Sequence, residues 1–342
     1  MPHRLLPLLA VALCLAPGTW LRTEVPLRHN VPVSVRAVNE PGAPLPEGWA
    51  LEGVWEYSGT GQHFGGFSAL LALADSRLRA FSDRGARLTI AAPDTLEPPL
   101  AKASATSAVG RLAYQASYKG YGAQLWDIES ATRDPISGQY WLGHEFFHAI
   151  QRYDVASRPT GLRILEDEVS WSSNSGLEAM VRLRDGRFVA IPESGREVLV
   201  YPQDPIEGAQ PERLTYVSPQ SGFGITDAAE LPDGRLLILL RRVLWNVPPF
   251  EGRIAVAKLP MSGEPQELRP QFVLDLTAVA PRDNYEGLAI TERDDGAVRV
   301  WVISDDNFSS LQRTLLLKLR LDPALLRPLD DPPADAKQKA RE

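Results

Sequence analysis

The sequence predicts an all-β protein, a β-propeller of five blades whose ring is closed by an N-terminal strand. The first observation is a phrase repeated along the chain. An acidic residue opens an apolar run, a turn follows, and a second apolar run ends on an acidic or polar residue. Copies start at Glu178, Asp227 and Glu286, with turns at Asp185-Gly186, Asp233-Gly234 and Asp295-Gly296. Looser copies start at Ser68 and Glu129. A period of roughly 50–60 residues marks a repeated supersecondary unit, and Asp-Gly turns make each unit a hairpin. The second observation is that no apolar stripe at helical spacing lasts three turns between Trp49 and Leu321. Short runs of Val, Ile, Leu, Tyr and Trp are set apart by Gly, Pro and Asp instead, which is the strand signal. The third is the grouping of these runs into fours, with the last group one short.

The first unit takes strands at 67–73, 78–82, 87–92 and 112–117. The second takes 128–133, 139–144, 148–153 and 162–165, and the third 177–183, 187–191, 197–201 and 213–217. The fourth uses 226–231, 235–240, 253–259 and 272–276. The fifth supplies only 287–291, 298–304 and 314–321. Its missing outer strand has a candidate at the opposite terminus, Trp49–Tyr57, and closure with that piece removes exposed sheet edges. Six blades follow instead if the segment 23–38 holds strands. A pair of β-sandwiches or a β-helix is the alternative architecture.

Outside the propeller (47–324) the chain divides simply. Residues 1–18 have a charged start, an apolar run from Leu5 to Ala16 and small residues after it, the pattern of a cleavable secretory signal rather than a membrane span. The expected location is therefore periplasmic or secreted, with an uncleaved anchor as the alternative. Residues 19–46 form a Pro-rich lead-in, and 325–342 a charged tail. Cys14 is the only cysteine and lies inside the signal. Once the signal is removed, disulfides, Cys-ligated metals and a Cys nucleophile are excluded. A net charge of −7 argues against a nucleic-acid or anionic-membrane partner, since either needs a basic face. The expected partner is a small anionic or ester substrate, met by a monomer.

In a propeller the innermost strands line a central channel. The repeat places Glu129, Glu178, Asp227 and Glu286 near the starts of these strands, with Ser68 as the odd member. The second strands end on Asp83, Glu145, Glu193, Arg241 and Asp305. Hairpin strands run in opposite directions, so both sets meet at one rim. Converging carboxylates repel, and a hard cation, arginine partners or protonation relieves the repulsion. One reading is a Ca²⁺ or Mg²⁺ site, Ca²⁺ preferred, drawn from Asp83, Glu145, Glu178, Asp227, Glu286 and Asp305. The other is pairing of the acids with Arg84, Arg187, Arg241 and Arg242. Arg84 and Arg241 are also candidates to face an anionic group.

Several stretches resemble one family. Phe81-Ser82-Asp83-Arg84-Gly85, then Tyr285-Glu286-Gly287-Leu288-Ala289, then Ser304-Asp305-Asp306-Asn307-Phe308 and Thr314-Leu315-Leu316 are similar to motifs of the phytase-like, or "esterase-like activity of phytase", family. The resemblance covers about residues 49–321, with one departure at Asp306, where asparagine is common. It implies an exported β-propeller acting as a phosphoesterase or esterase, without fixing phytate as the substrate. Glu178, Glu286, Asp305 and Arg84 are the expected catalytic residues.

Other chemistry finds little support. The chain has no Gly-x-Ser-x-Gly elbow, P-loop, dinucleotide fingerprint or His-Glu-x-x-His. His144, Glu145 and His148 are close enough in sequence to form a ligand set or an acid/base pair, and His63 lies in a loop before the first inner strand. Two functions remain: an exported ester hydrolase, and a propeller that binds a ligand or envelope partner without catalysis.

Overall fold

In the structure, a computed structural model, the described residues are 33–39, 42–59, 64–74, 77–91, 110–111, 127–171, 176–193, 196–245, 248–261, 263–292 and 296–326. The signal-like segment, Cys14, His63, the strand expected at 112–117 and the tail from 327 onward lie outside them.

The described residues begin with β1 (Val33–Ala37) and β2 (Trp49–Gly59). Blade one follows as β3 (Phe67–Ala72), β4 (Arg77–Ser82), β5 (Ala86–Ala91) and β6 (Gly110–Arg111). Blade two is β7 (Ile128–Arg133), β8 (Tyr140–His144), β9 (Ala149–Tyr153) and β10 (Pro159–Ile164). Blade three is β11 (Leu177–Arg182), β12 (Phe188–Pro192), β13 (Glu197–Tyr201) and β14 (Glu212–Tyr216). Blade four has β15 (Gly224–Glu230), β16 (Leu236–Val243) and β17 (Phe250–Ala257). A short β18 (Glu267–Leu268) then leaves blade four to pair in parallel with β14, before β19 (Gln271–Asp275) completes it. A single helical turn, α1 (Leu276–Val279), leads to β20 (Tyr285–Glu292), β21 (Val298–Ser304) and β22 (Thr314–Leu321) of blade five.

The predicted closure is present. β2 pairs antiparallel with β22 from Trp49 opposite Leu321 to Tyr57 opposite Thr314, and β1 adds one further strand outside it. The inner strands complete a circle, each packing on the next: β3 on β7, β7 on β11, β11 on β15, β15 on β20, and β20 back on β3. The molecule is thus a five-bladed propeller, with residues 33–37 extending blade five rather than building a sixth.

The core consists of layers between neighbouring blades. Phe67 and Leu70 meet Trp55 and Trp301 between blades one and five, while Trp141 and Ile150 meet Met180 and Phe188 between blades two and three. A strand held between two blades is covered on both faces, so β12, Phe-Val-Ala-Ile-Pro, is buried throughout and reads as a continuous apolar run. The Asp-Gly turns behave as their chemistry requires. Gly186 and Gly234 take φ of 92° and 85°, a region costly for residues with a Cβ. Asp185 and Asp233 accept the amides of Arg187 and Arg235 at 3.0 and 3.1 Å.

Candidate functional site

Every inner strand has an irregularity at the same place. Pairing with the second strand slips between Phe67 and Ala69, Ile128 and Ser130, Leu177 and Ala179, Ile225 and Asp227, and Tyr285 and Gly287. The extra residue in each ladder is Ser68, Glu129, Glu178, Thr226 or Glu286. A bulge leaves its extra residue unpaired and re-aims the side chain. A second ring lies beside this one. The partners of the five residues before the bulges are Ser82, His144, Pro192, Leu240 and Ser304. Each is followed by a charged residue: Asp83, Glu145, Glu193, Arg241 or Asp305. The amides of Asp83, Glu145, Glu193 and Asp305 donate to the carbonyls of Gly66, Asp127, Gly176 and Asn284 at 2.9, 2.9, 3.2 and 2.8 Å, so one backbone bond fixes the rim in four blades.

Asp227 does not sit in these rings. The slip in β15 puts Thr226 at the position that the repeat predicts for Asp227. The Asp227 carboxylate is fully buried and accepts the amides of Ala228 at 2.7 Å and of Leu288 at 2.6 Å. It ties blade four to blade five. Burial holds its pKa well above the usual carboxylate range, against the pull of the two amides.

The other acids come together. Oxygens of Glu145, Glu178 and Glu193 all lie within 4.8 Å of one another, and so do those of Asp127, Glu129 and Glu145. Burial raises the pKa values of Glu129 and Glu178, and neighbouring acids raise them further, Glu178 and Glu286 acting on Glu129, and Glu193, Glu145 and Glu286 on Glu178. Asp305, 4% exposed, is raised by burial and then by Glu286 and Asp83. Asp83, Glu178 and Glu286 therefore share one opening.

Arg241 is the cation built into the rings. It donates to Glu193 at 2.8 Å and to Asn284 at 2.8 Å, and also to Glu286. Asn284, fully buried, uses its amide nitrogen on the same Glu286 oxygen at 2.8 Å. Against its burial, Glu286, Glu193 and Glu178 raise the Arg241 pKa. The arginine-pairing reading thus holds for Glu286 and Glu193, while Glu178 accepts no hydrogen bond from any described residue. Arg84 lies 3.3 Å from the centroid of the Phe308 ring. Asp306 accepts the amides of Gly66 and Phe308, each at 2.9 Å, and the Thr314 hydroxyl at 3.0 Å. The two motif stretches, 81–85 and 304–308, therefore meet at the seam between blades one and five. Gly66, with φ of 65°, is needed there: a Cβ would stand 2.5 Å from Asp83 Oδ1. His148 is buried and packs edge-on against Trp171, ring centroids 5.7 Å apart, and no side-chain bond joins it to Glu145.

Sequence reasoning ranked Glu129 and Glu193 below their neighbours and overlooked Asp127 and Asn284. Asp127 precedes β7 with φ of 69°, a conformation that Asp tolerates better than most residues and that no local motif announces.

The acids make stability pH-dependent. Burial raises Asp83 to about 6, opposed by Ser82 and Arg84, and raises Glu145 to about 7, aided by Asp127, Glu193 and Glu286. Both values exceed the unfolded references of 3.8 and 4.5, so the native state holds more protons in this window. Stability is then full below the unfolded values and is lost as pH rises through the folded ones. With chelator present, unfolding in urea should show stability falling between pH 4.5 and 7.5, with Asp83 and Glu145 together contributing a loss on the order of 4 kcal/mol. Against its burial, hydrogen bonds from Arg242 and Arg253 hold Glu251 low, so its contribution changes only at more acid pH. Equal stability at the two pH values would contradict the raised carboxyl groups of Asp83 and Glu145.

The family model described as "Phytase-like: Esterase-like activity of phytase" matches residues 62–308. None of the curated proteins matches the sequence. Solved structures with some likeness include a virginiamycin B lyase from Staphylococcus aureus, 10% identical, with a TM-score of 0.42 over 84% of this chain and 99% of that one. A putative gluconolactonase is 9% identical, with a TM-score of 0.44 over 86% of this chain and 95% of that one. The calcium-binding protein regucalcin from Agrobacterium tumefaciens is 14% identical, with a TM-score of 0.42 over 86% and 97%. Likeness at this level says nothing about the mouth. The family match takes in well over half of the chain, including Asp83, Glu178, Glu286 and Asp305, and the protein belongs to the phytase-like (esterase-like activity of phytase) family.

Proposed function

We propose that this protein is an exported, monomeric hydrolase of phosphoesters or related esters that works with a divalent cation, Ca²⁺ in the first instance, at the propeller mouth. The observation that carries the reading is the meeting of Glu145, Glu178 and Glu193 oxygens within 4.8 Å of one another. Every donor there is a carboxylate oxygen, a set that suits a hard cation and not a soft one. A bound cation would supply charge neutralisation and polarise the scissile group.

The side chains of the chain divide the remaining work. Arg241 and Asn284 both bond to Oε1 of Glu286, which leaves Oε2 as the acceptor able to take a proton from water. Arg241 is already engaged by Glu193 and Glu286, so its part is to hold them rather than to meet substrate. Arg84, exposed at the rim beside Asp83, is the group that meets negative charge on the substrate. Asp305, one of the expected catalytic residues, keeps its Oδ1 on the Asn307 amide at 2.7 Å and adds to the field around Glu286.

The test is to strip the protein with EDTA, restore Ca²⁺, and follow both melting temperature and hydrolysis of p-nitrophenyl phosphate and acetate. Ca²⁺ at about a hundred times its Kd should raise the melting temperature by about 5 °C and restore hydrolysis. A thermal shift without hydrolysis points to the second reading, a binding propeller, which the pairing of Glu193 and Glu286 with Arg241 favours. No response in either measurement removes the cation.

A further inference from the structure

Two residues in a row, Asn307 and Phe308, take left-handed backbone, with φ of 49° and 52°. Asparagine tolerates that region, but for a side chain as bulky as phenylalanine it is costly. Such a conformation persists only where the surroundings over-determine it. Here several bonds do so. Asp305 Oδ1 accepts the Asn307 amide at 2.7 Å, and Asp306 Oδ1 accepts the Phe308 amide at 2.9 Å. The Ser309 amide donates to the Asp306 carbonyl at 2.7 Å, and Asn307 Nδ2 donates to Gln312 Oε1 at 2.8 Å. Asp306 is itself tied to blade one through the Gly66 amide.

The ring held in this way joins none of the apolar layers between blades. Its face carries the Arg84 guanidinium instead, 3.3 Å from the centroid. Gly66 leaves room for the ring, since a Cβ there would stand 2.6 Å from Phe308 Cζ. Arg84 comes from the tight turn between β4 and β5. There the Gly85 amide donates to the Ser82 carbonyl at 2.8 Å, and the Arg84 amide to Ser82 Oγ at 3.3 Å. Those bonds fix its backbone but not its side chain, which has many rotamers to choose among. Stacking on an aromatic face restricts that choice and uses none of the five N–H donors of the guanidinium. We propose that Phe308 is a positioning residue, its ring the platform that aims Arg84 at the rim, and that the costly turn around it is kept for this contact. The inference rests on the reading of Arg84 as the group that meets negative charge on the substrate, and adds what holds it in place.

Calorimetric titration of phenylphosphonate, a phosphoester analogue whose P–C bond is not hydrolysed, into the Ca²⁺-loaded full chain reads the contact without turnover. Arg84→Met should weaken binding by about tenfold or more. Phe308→Leu should weaken it nearly as much, while Phe308→Tyr, which keeps the ring face, should stay within about twofold of the parent. The double variant Arg84→Met with Phe308→Leu should bind no more weakly than Arg84→Met alone, because the ring acts only through the guanidinium. Melting temperature is recorded for each protein. Phe308→Gly removes the ring and relieves the backbone, so it should bind as weakly as Phe308→Leu without melting lower. Affinity lost only in variants that melt lower overturns the inference. So does a double variant whose loss is the product of the two single losses, which would be the mark of a structural role. Arg84→Met weakening the contact while Phe308→Leu leaves it intact overturns the positioning role alone. Binding that Arg84→Met leaves unchanged, or no binding by the parent, removes the anion-facing role of Arg84 and the inference with it.

Discussion

Replacing Arg241 with methionine should lower stability by about 3–5 kcal/mol at neutral pH, the usual effect of removing one partner from a buried ion pair. The guanidinium lies between Glu193 and Glu286, and its side chain is 19% exposed. Methionine fills much of the volume but leaves both carboxylates, and Glu178 behind them, without the positive charge that lets them coexist. The sign of the pH effect follows. Protonation of Glu178, whose carboxyl burial and the neighbouring acids hold high, relieves the repulsion in the variant, so the deficit relative to the parent should shrink as pH is lowered from 7.5 to 5. Urea unfolding of both proteins at the two pH values decides it. An equal deficit at both would mean that Arg241 acts by packing rather than charge, and a deficit below about 1 kcal/mol would show the acids to be solvated.

A chain beginning at residue 60 should lose its cooperative thermal transition. Such a chain lacks β1 and β2, so β22 becomes an exposed edge and blade five keeps only three strands. Trp49, Val54, Trp55 and Tyr57, each at most 9% exposed, leave with β2. At about 2 kcal/mol for each buried apolar side chain, the loss is on the order of 8 kcal/mol, comparable to the whole stability of an ordinary domain. The unpaired edge should also promote association. Calorimetry and light scattering test both effects, and a separate peptide of residues 33–59 should restore the transition. A shortened chain that melts at the parent temperature as a monomer would show that the blades stand without the closing strand.

Much of the architecture was legible because the physics behind it is local. Short apolar runs on either side of Asp-Gly turns marked the hairpins, and the missing fourth strand of the last group pointed to Trp49–Tyr57, which is where β2 lies. The charged ends of the second strands, from Asp83 to Asp305, were also readable, since a residue just past a strand stays at its rim. The bulges were not. An inserted residue shifts everything after it by one, and side chains alternate faces along a strand, so Asp227 was matched to Glu178 when Thr226 is its counterpart. The signal existed in the triplets Phe67-Ser68-Ala69, Ile128-Glu129-Ser130, Leu177-Glu178-Ala179, Ile225-Thr226-Asp227 and Tyr285-Glu286-Gly287, each a large apolar residue followed by a polar one. Asn284 was invisible for another reason. Its value lies in touching Arg241 from the neighbouring blade, 43 residues away.

The kink repeated in all five inner strands separates two kinds of inheritance. The large apolar residue before it packs into the core in every blade, while the residue at its apex is the extra one that the ladder leaves unpaired. Serine, threonine and glutamate already occupy that apex in one molecule without altering the frame around it. Drift at these five addresses can therefore rewrite what the opening recognises while the scaffold beneath goes unchanged.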